Sequence, residues 1–305
     1  MSTTSPAGST VHRSGFASLV GRPNAGKSTL TNALVGAKVA ITSSKPQTTR
    51  HAIRGLVHRP DAQLIIVDTP GLHKPRTLLG ERLNTVVRDT LAEVDVVGFC
   101  VPADQPVGPG DRFLANELSR LKSPVIAIVT KTDLAEKQQI GEQLLALSKL
   151  GDWADVIPVS AVAGDQVSLL EDLLVARLPE GPSLYPDGEL TDEPEQTLIA
   201  ELIREAALEG VRDELPHSIA VLVDEMSVRE GRQDGLIDIY ATLYVERSSQ
   251  KPIILGHAGS RMKDIGTRSR KGISALLGSP VFLDLHVKVA KEWQRDPKQL
   301  RRLGF

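Results

Sequence analysis

Disulfides are excluded from this chain, because its 305 residues include a single cysteine, Cys100, placed in the apolar run VDVVGFCV. With no partner thiol, a reducing, cytoplasmic compartment is expected. Long hydrophobic runs are missing too. Every apolar stretch is broken by Asp, Pro or Gly within roughly ten residues, short of the ~18 that cross a bilayer. The opening MSTTSPAGST has neither a basic start nor an apolar stretch, so residues 1–13 read as a disordered tail and not as a signal peptide. No internal repeat or low-complexity tract occurs, which excludes a repeat array. A strong net charge is also absent, at −2, but the charge is segregated. Residues 185–246 carry four basic and sixteen acidic side chains, whereas residues 247–305 carry thirteen basic and four acidic ones. One surface is therefore a candidate polyanion site, unless the two segments fold together and compensate each other.

What is present suits two domains. Up to about Leu178, apolar runs (GFASLVG, AIRGLVH, QLIIVDT, VDVVGFCV, PVIAIVT, DVIPVS) alternate with amphipathic helical stretches. Strands continuous in Val, Ile and Leu, separated by helices, predict an α/β domain with a mostly parallel sheet covered on both faces, over residues 14–178. Residues 179–194, rich in Pro, Gly and acid, read as a linker. Residues 195–305 change pattern: a helix (QTLIAELIREAALEGVRDEL), two strands (SIAVLVDEM, LIDIYATLYVE), the element PIILGHAGSRMKDIG read as an apolar strand, a turn and a basic helix, a strand (VFLDLHVKV) and a helical tail. That is a smaller α+β domain.

Between the first strand and first helix lies Gly21-Arg22-Pro23-Asn24-Ala25-Gly26-Lys27-Ser28-Thr29, a full Gly-x-x-x-x-Gly-Lys-Ser phosphate loop in the strand-loop-helix setting it requires. Glycines let backbone N–H groups wrap phosphates at a helix N-terminus, Lys27 neutralises the β and γ oxygens, and the Ser28 hydroxyl suits Mg²⁺. Asp68-Thr-Pro-Gly71 follows the strand QLIIV, as expected for an acid that holds the Mg²⁺ hydration shell through water and a glycine N–H that meets a γ-phosphate. Between them, ITSSKPQTTRH offers two candidate Mg²⁺ hydroxyls, Thr48 and Thr49.

Thr130-Lys131-Thr132-Asp133 closes the strand PVIAIVT where GTPases carry Asn-Lys-x-Asp. The Asp133 carboxylate can accept from guanine N1–H and the exocyclic amine, whereas adenine offers a lone pair at N1 and no amine. Guanine preference should therefore survive a Thr at 130, and the missing Asn amide should cost mainly a tie between loops. Rho-type small GTPases resemble this chain in having Thr-Lys-x-Asp. Ser160-Ala161, after DVIPV, adds a small residue that lets a backbone N–H reach guanine O6. Leu72 stands where Ras-type enzymes orient water with Gln, so intrinsic hydrolysis should be slow.

In the second domain, Gly256-His257-Ala258-Gly259-Ser260-Arg261 and Lys263 form a Gly-x-x-Gly turn entering a helical stretch that also carries Arg268, Arg270 and Lys271. The order resembles the prokaryotic, type II KH arrangement, in which glycines bring backbone against about four nucleotides of single-stranded RNA. A turn before an ordinary solvated helix is the plainer alternative.

Taken in order, GRPNAGKSTL, PQTTRH, DTPGLH, TKTD, VSA, GHAG and the ending LRRLGF resemble the Era family of bacterial GTPases across nearly the whole chain. The resemblance implies a GTP/GDP switch whose KH domain binds the 3′ end of 16S ribosomal RNA and assists 30S subunit maturation, with peripheral membrane contact also known in the family; a monomer is expected. Similar GTPases place the Mg²⁺ ligand at the Thr ending the short motif, which favours Thr49, and an Asn at the position of Asn24 ligates K⁺ beside the phosphates. Two other classes fit less well. A lipid-reading signalling GTPase needs clustered Lys with apolar anchors, and a P-loop kinase or ATPase has no use for Asp133 or a KH-like domain. If Asp133 reads the guanine edge, Asp133→Asn should shift preference from GTP toward xanthosine triphosphate. Competition against a fluorescent nucleotide checks this, and equal competition by ATP and GTP in the unaltered protein would contradict it.

Overall fold

The computed structural model describes residues 11–43, 45, 48–71, 75, 77–211, 215–231 and 234–305. Of the expected tail, residues 1–10 lie outside the described residues. The rest is already ordered, because β1 (Arg13–Val20) begins at Arg13, whose backbone N–H donates to Asp61 O at 3.0 Å.

The first half alternates as its apolar runs predict: α1 (Lys27–Val35), β2 (Ile53–His58), β3 (Ala62–Asp68), α2 (Leu78–Glu93), β4 (Val96–Pro102), α3 (Pro109–Leu118), β5 (Val125–Thr130), α4 (Lys137–Ser148), β6 (Asp155–Pro158) and α5 (Val167–Val175). The six strands are ordered β2-β3-β1-β4-β5-β6, and only the β2–β3 pairing is antiparallel. Both faces of the sheet are covered, which is why its strands tolerate no polar alternation. Leu30 and Leu34 of α1 and Leu170 and Leu174 of α5 pack one face; Val87, Leu91, Leu114, Leu118 and Leu147 pack the other. This topology brings the C-terminal ends of β1, β3 and β5 to one rim, the usual place for a ligand in an open α/β sheet.

The segment between the halves is bound rather than loose. Leu190 O accepts Leu56 N–H at 2.9 Å, and the Gln63 amide oxygen accepts the N–H groups of Leu184 and Tyr185 at 2.6 and 2.9 Å. The strap thereby covers the edge of β2, where unpaired backbone would invite another strand.

The second half runs α6 (Glu195–Leu208), α7 (Leu215–Ser218), β7 (Ala220–Val228), β8 (Ile237–Val245), α8 (Gln250–Leu255), α9 (Ser260–Leu277), β9 (Val281–Val289) and α10 (Pro297–Arg302). β7 and β8 pair antiparallel, β8 and β9 parallel. Two sequence expectations are corrected here. The first helix ends at Leu208, followed by Gly210 at φ 69°, instead of running to Leu215. The run Pro-Ile-Ile-Leu is the helix α8 and not a strand: Ile254 is buried against Ile265 and Val287 while its neighbour Ile253 points outward. Local β propensity was overridden by packing, as short apolar runs allow.

The halves meet through a second apolar cluster. Leu79 and Leu83 of α2 pack with Trp293, Leu300 and Leu303 of the tail and with Tyr244 of β8. Phe305 stacks between His51 and Trp293, with ring centroids 4.9 and 5.7 Å away, and its carbonyl accepts from Arg82 at 2.6 Å. No described helix is long and apolar enough to cross a membrane.

Candidate functional site

The loop between β1 and α1 is shaped by two glycines. At Gly21 a Cβ would lie 2.5 Å from the Cys100 carbonyl of β4, so only hydrogen fits there; Gly26 caps α1 at φ 88°, a region open to glycine at little cost. Pro23 and Asn24 line the cleft above the helix N-terminus, together with Thr29. Lys27 is buried, with Nζ donating to the carbonyls of Gly21 and Arg22 at 3.2 Å each. Burial pulls its pKa down and the Asp68 carboxylate opposes that pull. A buried ammonium held only by carbonyls is poised for anionic oxygens. The Arg22 side chain points elsewhere: its Nε lies 3.3 Å from the buried Asp111 of α3. The sequence placed Arg22 among nucleotide contacts, and only its backbone serves the loop.

At the end of β3, Asp68 Oδ2 accepts from Ser28 Oγ at 2.7 Å and from Thr49 Oγ1 at 3.2 Å, and those two hydroxyls are 2.9 Å apart. Thr48 is not part of this cluster, since its hydroxyl donates to the Lys45 carbonyl at 2.6 Å. Asp68 Oδ1 is buried without a hydrogen-bond partner, and burial pushes the carboxyl pKa up against the opposing pull of Ser28, Lys27 and Thr49. An orphaned carboxylate oxygen beside two hydroxyls is a hard, oxygen-only donor set that fits Mg²⁺. Among the described residues no cluster of three or more His, Cys, Asp or Glu could hold a metal by itself. Phosphate oxygens would have to complete the shell. Gly71 closes the rim, where a Cβ would come 3.1 Å from Pro23 N; Leu72 lies outside the described residues.

On the neighbouring side a cleft of about 130 Å³ is lined by Gly26, Thr29, Thr130, Lys131, Asp133 and Ala161. Thr130 Oγ1 donates to the Ala25 carbonyl at 2.6 Å. The inter-loop tie that the sequence reading counted as lost with Asn is therefore present, made by a hydroxyl. Lys131 adopts φ 57°, turning the chain so that Asp133 faces the cleft's lining. Ser160, fully buried, donates to Asp133 Oδ1 at 2.6 Å and accepts Ala163 N–H at 3.0 Å. Sequence reasoning missed this orienting role, because Ser160 and Asp133 are 27 residues apart and only the β5–β6 pairing brings them together.

The Gly-x-x-Gly turn has the backbone its glycines promise: φ 72° at Gly256, 48° at Ala258 and 77° at Gly259. A Cβ at Gly256 would lie 2.7 Å from Arg261 Cβ, whereas Gly259 faces open space. His257, Ala258, Ser260, Lys263, Arg270 and Lys271 are exposed. Arg261 is not with them. Its Nη2 donates to the carbonyls of Ala207 and Glu209 at the end of α6, at 3.1 and 2.6 Å, and Arg268 likewise reaches Ala206 O and pairs with Glu209. Part of the charge segregation is thus compensated internally, where cations meet orphan carbonyls at a helix C-terminus. The Arg261 guanidinium, expected at the RNA, is engaged in this structure with the end of α6.

The family described as 50S ribosome-binding GTPase matches residues 16–131, and the KH domain family matches residues 214–294. GTPase Era of Streptomyces coelicolor is 69% identical over 304 residues, covering 97% of this chain and 96% of that relative. The chain belongs to the Era family of GTPases. GTPase Era of Mycobacterium tuberculosis is 63% identical over 300 residues, with 97% and 100% covered. A crystal structure of Era in complex with MgGDPNP and nucleotides 1506–1542 of 16S ribosomal RNA superposes with TM-score 0.92 at 35% identity, covering 96% of this chain and 99% of that one. An Aquifex aeolicus Era variant bound to GDP·AlF4⁻ superposes equally well, with TM-score 0.92 at 35% identity. Era membership makes the chain a GTPase with a P-loop α/β domain and a KH domain.

Within this Era GTPase, Thr130→Val would strand the Ala25 carbonyl in a buried setting. Nucleotide affinity should fall by about 1–2 kcal/mol, roughly 5–30-fold. Displacement of a fluorescent GDP measures it, and an unchanged affinity would show the tie to be idle.

Proposed function

We propose that this chain is a GTP-controlled RNA-binding switch of 30S ribosomal subunit assembly. In this reading residues 14–178 are the GTPase domain, 179–194 the linker and 195–305 the KH domain with its tail. The β and γ phosphates of GTP lie against the N-terminus of α1 and Lys27. Mg²⁺ is held by Ser28 and Thr49, with Asp68 acting through water, and the Gly71 N–H faces the γ-phosphate. Guanine sits between Thr130, Lys131 and Asp133 on one side and Ser160 and Ala161 on the other. The turn Gly256–Gly259, with Ser260 and Lys263, takes single-stranded RNA from the 3′ end of 16S ribosomal RNA, the ligand that the solved Era complex names. The observation that carries the reading is the convergence of Ser28, Thr49 and Asp68 in the same chain as a left-handed glycine turn followed by exposed Lys263, Arg270 and Lys271. We place the protein in the cytoplasm as a monomer, with peripheral contact at the inner face of the membrane.

RNA binding tests the turn. Gly259→Asp puts a carboxylate and a side chain at φ 77°, in the path of phosphate, so it should weaken binding of a single strand from the 16S 3′ end by about 100-fold or more while GTP binding persists. Lys263→Ala should weaken all sequences alike and flatten the salt slope by about 0.7, the share of one phosphate contact on a single strand. Arg261→Ala should leave that slope unchanged. Filter binding against salt, with duplex as control, decides; a Gly259→Asp protein that binds normally rules the turn out.

Hydrolysis tests the monovalent cation. Asn24 sits at the cleft with φ 63°, and Leu72 supplies no water-orienting amide, so K⁺ beside the phosphates is assigned the charge-neutralising role. Turnover in K⁺ should exceed that in Na⁺ by about tenfold, equal to about 1.4 kcal/mol of barrier, and Asn24→Ala should erase the difference. Equal rates in both salts contradict the role.

A further inference from the structure

The segment that carries Thr49 is gripped from both sides by the second half of the chain. On one side, Arg204 of α6 is 1% exposed; it makes a two-point pair with Glu201, Nε to Oε1 at 2.9 Å and Nη2 to Oε2 at 2.6 Å, and Nη2 also donates to the Thr48 carbonyl. On the other, Arg50 donates to the carbonyls of Ile219, Pro216 and His217 at 2.5, 3.1 and 2.7 Å. The next residue of α6, Glu205, accepts Thr42 N–H at 2.8 Å and Lys38 Nζ at 2.5 Å. Between these anchors Thr49 makes its two contacts, 2.9 and 3.2 Å, to Ser28 and Asp68. At the far end of the same helix, Arg261 and Arg268 of α9 hold its last carbonyls, and α9 begins at the Gly256–Gly259 turn.

From this we infer that Arg204 and Glu205 are positioning residues for Thr49: α6 holds Lys38, Thr42 and Thr48 so that the Thr49 hydroxyl reaches the cation site. The inference rests on the proposed Mg²⁺–GTP reading of that site. Two features separate it from ordinary interface packing. The anchors meet main-chain groups of residues 42 and 48 and not only side chains, so a shift of α6 moves the backbone that carries Thr49. The Thr49 contacts are near the end of hydrogen-bonding range, so a displacement of about 1 Å breaks them. A carboxylate and two guanidinium groups buried for this purpose carry a desolvation penalty that apolar side chains would avoid.

The test is equilibrium binding of fluorescent GDP and of a non-hydrolysable GTP analogue to the full chain, each across a Mg²⁺ titration, with thermal melting as a fold control. Thr49→Ala should lose the Mg²⁺-dependent gain in analogue affinity and keep GDP affinity. Arg204→Gln should do the same by about tenfold, with a higher Mg²⁺ midpoint, and Arg204→Lys should recover part of it. Glu205→Ala removes only the partly exposed anchor and should shift the midpoint in the same direction by about threefold; it decides the matter if Arg204→Gln does not fold. If Thr49→Ala binds the analogue normally, the reading of the cation site fails. If Thr49→Ala shows the loss and folded Arg204→Gln and Glu205→Ala do not, or if they lose GDP and analogue equally, the positioning role is overturned.

Discussion

Two guanidinium groups, Arg50 and Arg204, are buried at the junction of the halves beside one carboxylate, Glu201. Burial and the neighbouring Arg204 draw the pKa of Arg50 down, while Glu201 opposes them; the two arginines in turn hold the Glu201 carboxyl below its usual range, against its own burial. The arrangement is supported by backbone carbonyls at 48, 216, 217 and 219, which accept from the terminal nitrogens of both arginines, while Arg50 Nε is buried without a hydrogen-bond partner. Removing Glu201 would leave two buried guanidinium groups without their carboxylate, at about 3–5 kcal/mol. The nucleotide half and the RNA half therefore cannot separate at this point without exposing or neutralising that group. The Trp293–Phe305 cluster on α2 adds an apolar second fastening.

The nucleotide cleft uses the same economy of main-chain contacts. Thr130 ties the base loop to the phosphate loop, Ser160 fixes the Asp133 carboxylate, and Ser28 with Thr49 orients Asp68. Each relies on side-chain hydroxyls acting between segments far apart in the chain. Their shared rim follows from the parallel strand order, which sets the C-terminal ends of β3, β1, β4 and β5 along one edge of the sheet.

Much of this was legible in the sequence, and the reason is backbone geometry. A phosphate loop needs glycine where β4 leaves no room for a Cβ, a left-handed turn needs glycine at Gly259, and a doubly covered sheet needs uninterrupted Val and Ile. Those demands act locally, so they mark the chain at fixed spacings. Side-chain direction does not. Arg261 and Lys263 look alike in a list of basic residues, yet one caps α6 and the other faces solvent, because helix periodicity turns them to different faces. Thr48 and Thr49 are neighbours with identical chemistry, yet the hydroxyl of one donates to the Lys45 carbonyl and that of the other to Asp68, a difference that appears only in the folded chain. Pairings such as Ser160 with Asp133 depend on strands that meet only after folding.

On the proposed reading, α6 joins the cation site to the start of α9 and so links the two ligands thermodynamically, and linkage is reciprocal. The direct measurement is the affinity of the native protein for a single strand of the 16S ribosomal RNA 3′ end, once saturated with GDP and once with a non-hydrolysable GTP analogue and Mg²⁺. The account predicts tighter RNA binding in the analogue state, and an equal factor of gain in analogue affinity when RNA is added first. The same RNA affinity in both nucleotide states would contradict it.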